Sequence, residues 1–320
     1  MDVLLPAFAR LLLVCVVVAG SLGTASPASA HPSAAWPVLA RKDHGADVVA
    51  LEYLLRAGGQ VLEIDGRFEG ETDQAVRSFQ KRRKLKVDGI VGPQTWAALT
   101  PILKAGKEGA AVRALQSQLI VKHRADLVLN RTFGARTRRE VERFQKHMGL
   151  AVDGVVGNTT WRNLLWHYQG ITTGKTICAY SSNGRWGTAS TIKHVRGAGA
   201  RFLDEKRGRI AVGHISNEHG GYLSPHVSHR VGLDVDIRPV RRDKHQCEAG
   251  TTWKSSSYAR HSTRLLIEAI RKSAPQRVEV IWFNDPALVQ KGLTEHLSGH
   301  DDHLHVRYCT VSNPDVNYRC

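Results

Sequence analysis

The sequence predicts a multidomain chain: two small all-α modules of three helices each, followed by an α+β domain. Two observations carry this. A residue pattern in the first half occurs twice in a constant frame, and after Trp166 the texture changes to short apolar runs broken by one clear helix. The 320 residues suffice for two or three domains. With 42% hydrophobic and 23% charged residues, the bulk of the chain should fold.

The N-terminus sets the compartment. Leu11 to Ala19 is almost wholly apolar, and a Gly/Ser/Pro-rich stretch then ends in Ala28-Ser29-Ala30. Residues 1–30 therefore read as a secretory signal cut after Ala30. Its leading segment is weakly charged, with Arg10 offset by Asp2. An uncleaved anchor helix is the alternative, and the apolar run is short for a full span. There is no twin-arginine pair, and Val14 before Cys15 argues against a lipoprotein. The expected product is secreted or periplasmic, without stable membrane insertion after cleavage. Cys15 leaves with the signal, so Cys178, Cys247, Cys309 and Cys320 remain. An even count in an exported chain points to two disulfides, with three pairings open, and no C-x-x-C spacing supports a thiolate metal site.

The net charge is +16. Such a surface suits nucleic acid, an anionic membrane or an anionic cell wall. Without zinc-finger spacing, an RNP-type aromatic segment or an arginine-rich tail, nucleic acid is disfavoured.

The duplication is dense. Val76, Phe79, Gln80, Lys81, Leu85, Val87, Asp88, Gly89, Val91, Gly92, Thr95 and Trp96 recur as Val141, Phe144, Gln145, Lys146, Leu150, Val152, Asp153, Gly154, Val156, Gly157, Thr160 and Trp161. Upstream, Gly45, Val48 and Leu51 recur as Gly109, Val112 and Leu115. The modules are expected at residues 31–100 and 101–167. In each, a first helix is marked by Val48, Leu51 and Leu55 or by Val112, Leu115 and Leu119 at helical spacing. A second helix follows Thr72 or Thr137, and Thr137-Arg138-Arg139-Glu140 has the pattern of a capping box. Asp88-Gly89 makes a turn, and Gly92-Pro93 opens a short third helix, because proline there gives up no needed donor. Trp96 or Trp161 closes the core.

This repeat resembles the peptidoglycan-binding domain that accompanies many bacterial cell-wall hydrolases. The resemblance covers about Val38 to Trp166 as two copies. Nearly all the matching residues are core or turn residues, so a packing role is expected for Phe79, Trp96, Phe144 and Trp161. Wall binding is what the resemblance implies, by analogy of fold.

Residues 168–320 form the remaining domain. Gly170 to Gly174 reads as a linker. Arg209 to Val212 and Val278 to Phe283 read as strands. His261 to Lys272 reads as a helix that buries Leu265, Leu266, Ala269 and Ile270, with Arg264, Arg271 and Lys272 exposed.

The chemistry concentrates in two stretches, Ser228 to Asp236 and His300 to His305. His303 to Tyr308 alternates as a strand does, so His303 and His305 share a face while Leu304, Val306 and Tyr308 pack behind. Asp234 to Ile237 alternates likewise, and Gly232 lets the chain turn sharply between His229 and Asp236. Two imidazoles and a carboxylate leave zinc one open position, the mark of a catalytic site. A water there has its pKa lowered to about 7 and can attack an amide carbonyl. Cys309 keeps the parity of His305 but lies too far along the strand to share the ion.

Gly220 to Ile237, with His300-x-x-His303-x-His305 downstream, resembles the LAS metallopeptidases, and within them the penicillin-insensitive murein endopeptidases. The resemblance implies an α+β LAS-type domain with an antiparallel sheet and one Zn2+ ion per chain. His229, Asp236 and His305 would be its ligands. It also implies that His303 acts as base or stabilises the tetrahedral intermediate, with His226 and His300 near the metal. Asp234 would be an orienting group or hydrogen-bond acceptor rather than a ligand. The implied substrate is the peptide stem or cross-link of peptidoglycan, cut after D-alanine.

Other residues read as ordinary. His214 and His219 could line the cleft but better suit a surface or loop, Asp301 and Asp302 could orient His303 or form a solvated turn, and Arg238 to Lys244 reads as a solvated basic loop. There is no H-E-x-x-H, G-x-S-x-G or P-loop. The expectation is a secreted zinc endopeptidase held on the wall by its modules. Peptidoglycan is its partner, anionic wall polymers a possible second one, and a monomer the expected state. A D,D-carboxypeptidase of the same fold, or a wall-binding protein without activity, are the alternatives.

Overall fold

The computed structural model describes residues 34–311, 313 and 315–320. The expected signal at residues 1–30, with Cys15, lies outside the described residues. Among those described, no helix is long and apolar enough to cross a membrane.

Two helical triplets open the chain: α1 (Ala46–Ala57), α2 (Gly70–Arg82), α3 (Pro93–Leu99), then α4 (Ala110–His123), α5 (Ala135–His147), α6 (Asn158–Trp166). Val48, Leu51, Leu55, Phe79 and Trp96 are buried in the first, as are Val112, Leu115, Leu119, Phe144 and Trp161 in the second. The repeated glutamine organises the turn. Gln80 Nε2 donates to Asp88 Oδ1, the Ile90 carbonyl and Thr95 Oγ1, while its Oε1 accepts from Gly89 N–H. Gln145 does the same with Asp153, Val155, Thr160 and Gly154. Gly89 and Gly154 have φ of 72° and 69°, where a side chain would be strained. The repeat is therefore mainly a packing and turn code. Val87 and Val152 depart from it, since both are exposed.

The expected capping box is absent. Helix α5 starts at Ala135, with Gly134 as its cap and no side-chain capping bond. Thr137 is already inside the helix and buried, where its hydroxyl accepts from Gln116 Nε2 at 3.1 Å. Its core position outcompetes a terminal role.

The triplets are joined to each other and to the C-terminal domain. Lys122 is buried with Nζ 2.7 Å from Asp47 and donates to the carbonyls of Leu164 and Leu165. Arg277, also buried, pairs with Asp43 at 3.0 Å and donates to the Arg41 carbonyl. The expected linker is not a free tether. Gln169–Gly170 (β1) pairs with a strand at Trp186–Gly187, and Ile171 is buried.

The C-terminal domain continues with β2 (Ile177–Ala179), β3 (Trp186–Gly187), α7 (Ala189–Asp204), β4 (Ile210–Val212), β5 (Asp234–Ile237), α8 (Arg260–Ser273), β6 (Val278–Trp282), α9 (Pro286–Gln290) and β7 (Leu304–Tyr308). Five strands form one sheet in the order β2-β4-β5-β7-β6. All its pairings are antiparallel except β2 with β4. The reading of one clear helix fell short, because α7 is longer than α8. Its glycines hid it. Gly199 lies where a Cβ would meet Thr176 O at 3.1 Å, so a residue that weakens a helix is what lets this one approach β2. Thr188 caps α7 by accepting from Thr191 N–H.

Val235, Ile237, Leu304 and Val306 join Ile192, Val195, Ile267 and Ile270 in one apolar core. By strand alternation, Asp234, Asp236, His305 and Arg307 take the other face. Cys178 bonds Cys247 and Cys309 bonds Cys320, selecting one of the three pairings.

Candidate metal centre

Two paired strands and the two loops that lead into them bring the predicted site residues together. In the β5–β7 register Asp236 faces His305 and Asp234 faces Arg307. His229 arrives from the loop before β5. That loop turns at Gly232, whose φ is 68° and whose Cβ would sit 3.0 Å from Thr188 N.

His229, Asp236 and His305 are all buried. Each offers one ligand atom, and these atoms lie within 4.8 Å of one another. Asp236 Oδ1 is 3.2 Å from His229 Nε2 and 3.6 Å from His305 Nδ1. Donors bonded tetrahedrally to one zinc ion at 2.0–2.2 Å would stand about 3.3–3.6 Å apart. His229 Nδ1 lies 3.0 Å from the Ile215 carbonyl, to which it can only donate, so in the neutral ring the Nε2 lone pair faces the carboxylate. Neither His229 Nε2 nor Asp236 Oδ1 has a hydrogen-bond partner. Burial opposes a proton on His229, but the Asp236 carboxylate raises the imidazole above its ordinary value, so the two atoms compete for one cation, which a proton or a metal ion can supply. The donor set therefore fits a zinc-like ion.

The atoms behind the cluster fix its orientation. Asp234 Oδ1 accepts from His305 Nε2 and Arg307 Nε, each at 2.9 Å, and its Oδ2 accepts from Tyr318 OH at 2.7 Å. The ring of His305 is thereby held with Nδ1 toward Asp236, the arrangement by which carboxylates orient metal-binding imidazoles. Trp282 packs edge-on against the same ring.

Further histidines ring the cluster. His303 Nε2 is 3.7 Å from Asp236 Oδ1, and its Nδ1 donates to Asp302 at 2.8 Å. His226 Nδ1 is 3.9 Å from Asp236 Oδ2. His300 packs against His303 and His305, with ring centroids 4.7 and 5.4 Å away, and its Nδ1 is turned to the carbonyls of Leu297 and Ser298. Burial pushes the His226 imidazole down to about 4, and neighbouring His229 adds to the effect. Burial alone would raise the Asp236 carboxyl, but the imidazoles of His214 and His229 hold it far below the ordinary carboxylate range.

Two ordinary readings need correction, and one that was left open is decided. His214 is no bystander: its Nδ1 lies 3.8 Å from Asp236 Oδ2 and its ring 4.4 Å from His226. Strand parity would have turned it inward with Ile210 and Val212, but Gly213 N–H donates to the Asp236 carbonyl while the His214 carbonyl accepts from Asp236 N–H, and this irregularity past β4 brings His214 to the cleft. Asp302 alone meets His303, whereas Asp301 accepts from Trp253, Lys254 and Asn284. Arg238 does not wave in solvent; its guanidinium lies 4.2 Å over the Tyr180 ring and donates to the carbonyl of Gln246. His214, His226, Asp236, His303, Tyr180 and Arg238 line one cleft of about 550 Å³.

Three stretches of the chain match known families. Residues 173–319 match the family model described as penicillin-insensitive murein endopeptidase, and residues 44–99 and 108–164 each match that of a peptidoglycan binding domain. The chain is 30% identical over 171 residues to the N-acetylmuramoyl-L-alanine amidase CwlL of Bacillus licheniformis, covering 43% of this chain and 48% of that protein. It is 35% identical over 109 residues to the N-acetylmuramoyl-L-alanine amidase CwlM of Mycobacterium tuberculosis, covering 30% of this chain and 27% of that one. The chain thus spans about half or less of the length of these relatives. A peptidoglycan-binding protein of Clostridioides difficile is 40% identical over a match covering 20% of this chain and 40% of that one, with a TM-score of 0.20.

Proposed function

Since this chain carries two peptidoglycan-binding repeats followed by a domain of the penicillin-insensitive murein endopeptidase family, we propose that it is a zinc-dependent endopeptidase, secreted and tethered to the wall. That it is a cell-wall hydrolase rests on the family match. In our reading the metal is held by His229, Asp236 and His305, and the bond cut follows D-alanine in the stem or cross-link. Residues 1–30 would be removed on export, residues 31–100 and 101–167 would grip the wall, and residues 168–320 would cut.

The observation that supports this most directly is the bare acceptor pair of His229 Nε2 and Asp236 Oδ1, 3.2 Å apart in a buried setting. When bound there, Zn2+ would polarise the scissile carbonyl and make water nucleophilic near neutral pH. The chain's own residues do the rest. Asp234 and Tyr318 keep His305 aimed. His303, gripped at Nδ1 by Asp302, presents Nε2 to the cleft to accept a proton and return it to the leaving amine. His226, neutral through burial, and His214 offer further hydrogen-bonding positions on the Asp236 Oδ2 side.

The test is incubation of the purified protein with peptidoglycan, followed by mass spectrometry of the muropeptides. New peptide ends and loss of cross-links are expected, both abolished by His305→Ala. No new ends with zinc present would reject the reading. Loss of terminal D-alanine with cross-links intact would convert it to a carboxypeptidase.

A further inference from the structure

A second cluster, outside the cleft, repeats the signature of the first. His147 ends α5, His167 follows α6, and Glu218 and His219 lie in the loop between β4 and β5. Each offers a ligand atom, all within 4.8 Å of one another. Glu218 Oε1 is 3.3 Å from His147 Nε2 and 3.3 Å from His167 Nε2. These separations match the spacing of donors on one tetrahedral zinc, about 3.3–3.6 Å.

The tautomer logic also repeats. His167 Nδ1 lies 2.7 Å from the Tyr168 carbonyl and can only donate to it, so in the neutral ring the Nε2 lone pair faces Glu218. The His167 side chain is fully buried, and its Nε2 has no hydrogen-bond partner. A main-chain carbonyl on the far nitrogen is how metal-binding histidines are commonly oriented. The rings of His167 and His219 stand 4.9 Å apart, edge to face, and His219 stacks on Trp166.

The first repeat has no such set. Where the second copy has His147, directly after the shared Phe-Gln-Lys, the first has Arg82. Where the second has His167, the first has the exposed Ile102. The histidines therefore do not belong to the repeat's packing code. They occur only in the copy whose helices meet the catalytic loop. A solvent cleft of about 370 Å³, lined by His123, His147, Glu218 and Trp186, gives an ion a path in.

We propose that His147, His167, Glu218 and His219 form a second, closed site for a zinc-class divalent ion, clamping the second module to the loop that delivers His226 and His229. Three imidazoles and one carboxylate suit zinc, and four protein ligands leave no position for substrate, as in structural sites. The ion would cross-link α5 and the end of α6 to the loop around Glu218. It would stiffen that loop without touching the reacting bond.

Metal content of the full chain, after zinc loading and dialysis, tests this. Two ions per chain are expected. His147→Gln and Glu218→Gln should each leave one, His305→Ala should leave one by losing the other, and His147→Gln with His305→Ala should leave none. In the His305→Ala background, chelation should lower the melting temperature by roughly 2–4 °C. With His147→Gln added, chelation should no longer shift it. Equal melting of both proteins in chelator would show that His147→Gln has not damaged the fold. One ion in the wild type, kept by His147→Gln and lost by His305→Ala, overturns the proposal. One ion kept by His305→Ala and lost by His147→Gln upholds it while refuting the catalytic metal.

Discussion

Asp236 and His305 are cross-strand partners, and their ligand atoms, Oδ1 and Nδ1, stand 3.6 Å apart on the polar face of the sheet. One register thus sets two of the three candidate ligands, and the loop through Gly232 has only to deliver His229. A slip of one residue in β7 would turn His305 into the apolar core and Leu304 into the cleft.

Removing His305 should abolish metal binding at this site together with wall hydrolysis. For His305→Ala we expect at least a thousandfold loss of muropeptide release, on the order of the several kcal/mol a metal supplies. Assay of released peptides alongside bound zinc checks both. Full activity with the ion gone would contradict the metal's role.

Tyr318 acts at one remove. Its hydroxyl donates to Asp234, which holds His305. Tyr318→Phe keeps the ring and should weaken zinc affinity about tenfold, the low end for such supporting groups. Competition with a chromophoric chelator measures it, and unchanged affinity would show that Arg307 suffices to orient Asp234.

Lys122 and Asp47 form a buried pair between the two modules. Burial pulls the Lys122 ammonium's pKa down, and Asp47 partly restores it. Lys122→Met should destabilise by about 3–5 kcal/mol, because it strands a buried carboxylate. The double change Lys122→Met with Asp47→Leu should recover much of that in chemical denaturation. No recovery would place the cost in lost packing or in the carbonyls of Leu164 and Leu165.

Glu52 should make stability fall with pH. Burial pushes its carboxyl from 4.5 up to about 7, despite the Gly66 N–H that it accepts. Between those values the folded chain keeps a proton that the unfolded chain has lost. Its contribution is fullest below about pH 4.5, declines as pH rises toward 7, and is flat above. Glu52→Gln should remove this part of the slope in a series of melts. An unchanged slope would assign it elsewhere.

Wall binding should reside in residues 31–167. A chain of residues 168–320 should sediment poorly with insoluble peptidoglycan, and the full chain well. Tethering raises local substrate concentration without adding contacts at the cleft. Equal sedimentation would move the grip to the catalytic domain.

The sequence alone determined whatever is written in local periodicity. The repeat revealed both helical triplets, because Gln80 and Gln145 each bond to the turn nine and ten residues further on, inside the same repeat. Alternation revealed the polar face of β5 and β7, because a strand's side chains obey parity whatever they pack against. Only the tertiary structure decided which cysteines pair, that His214 joins His226 beside Asp236, and that His147 and His167 meet Glu218 and His219. Those meetings depend on where loops return after long excursions, and nothing in a local stretch encodes that return. Helix α7 escaped for a related reason: its glycines weaken it locally, and the close packing against β2 that they permit exists only once the chain has folded.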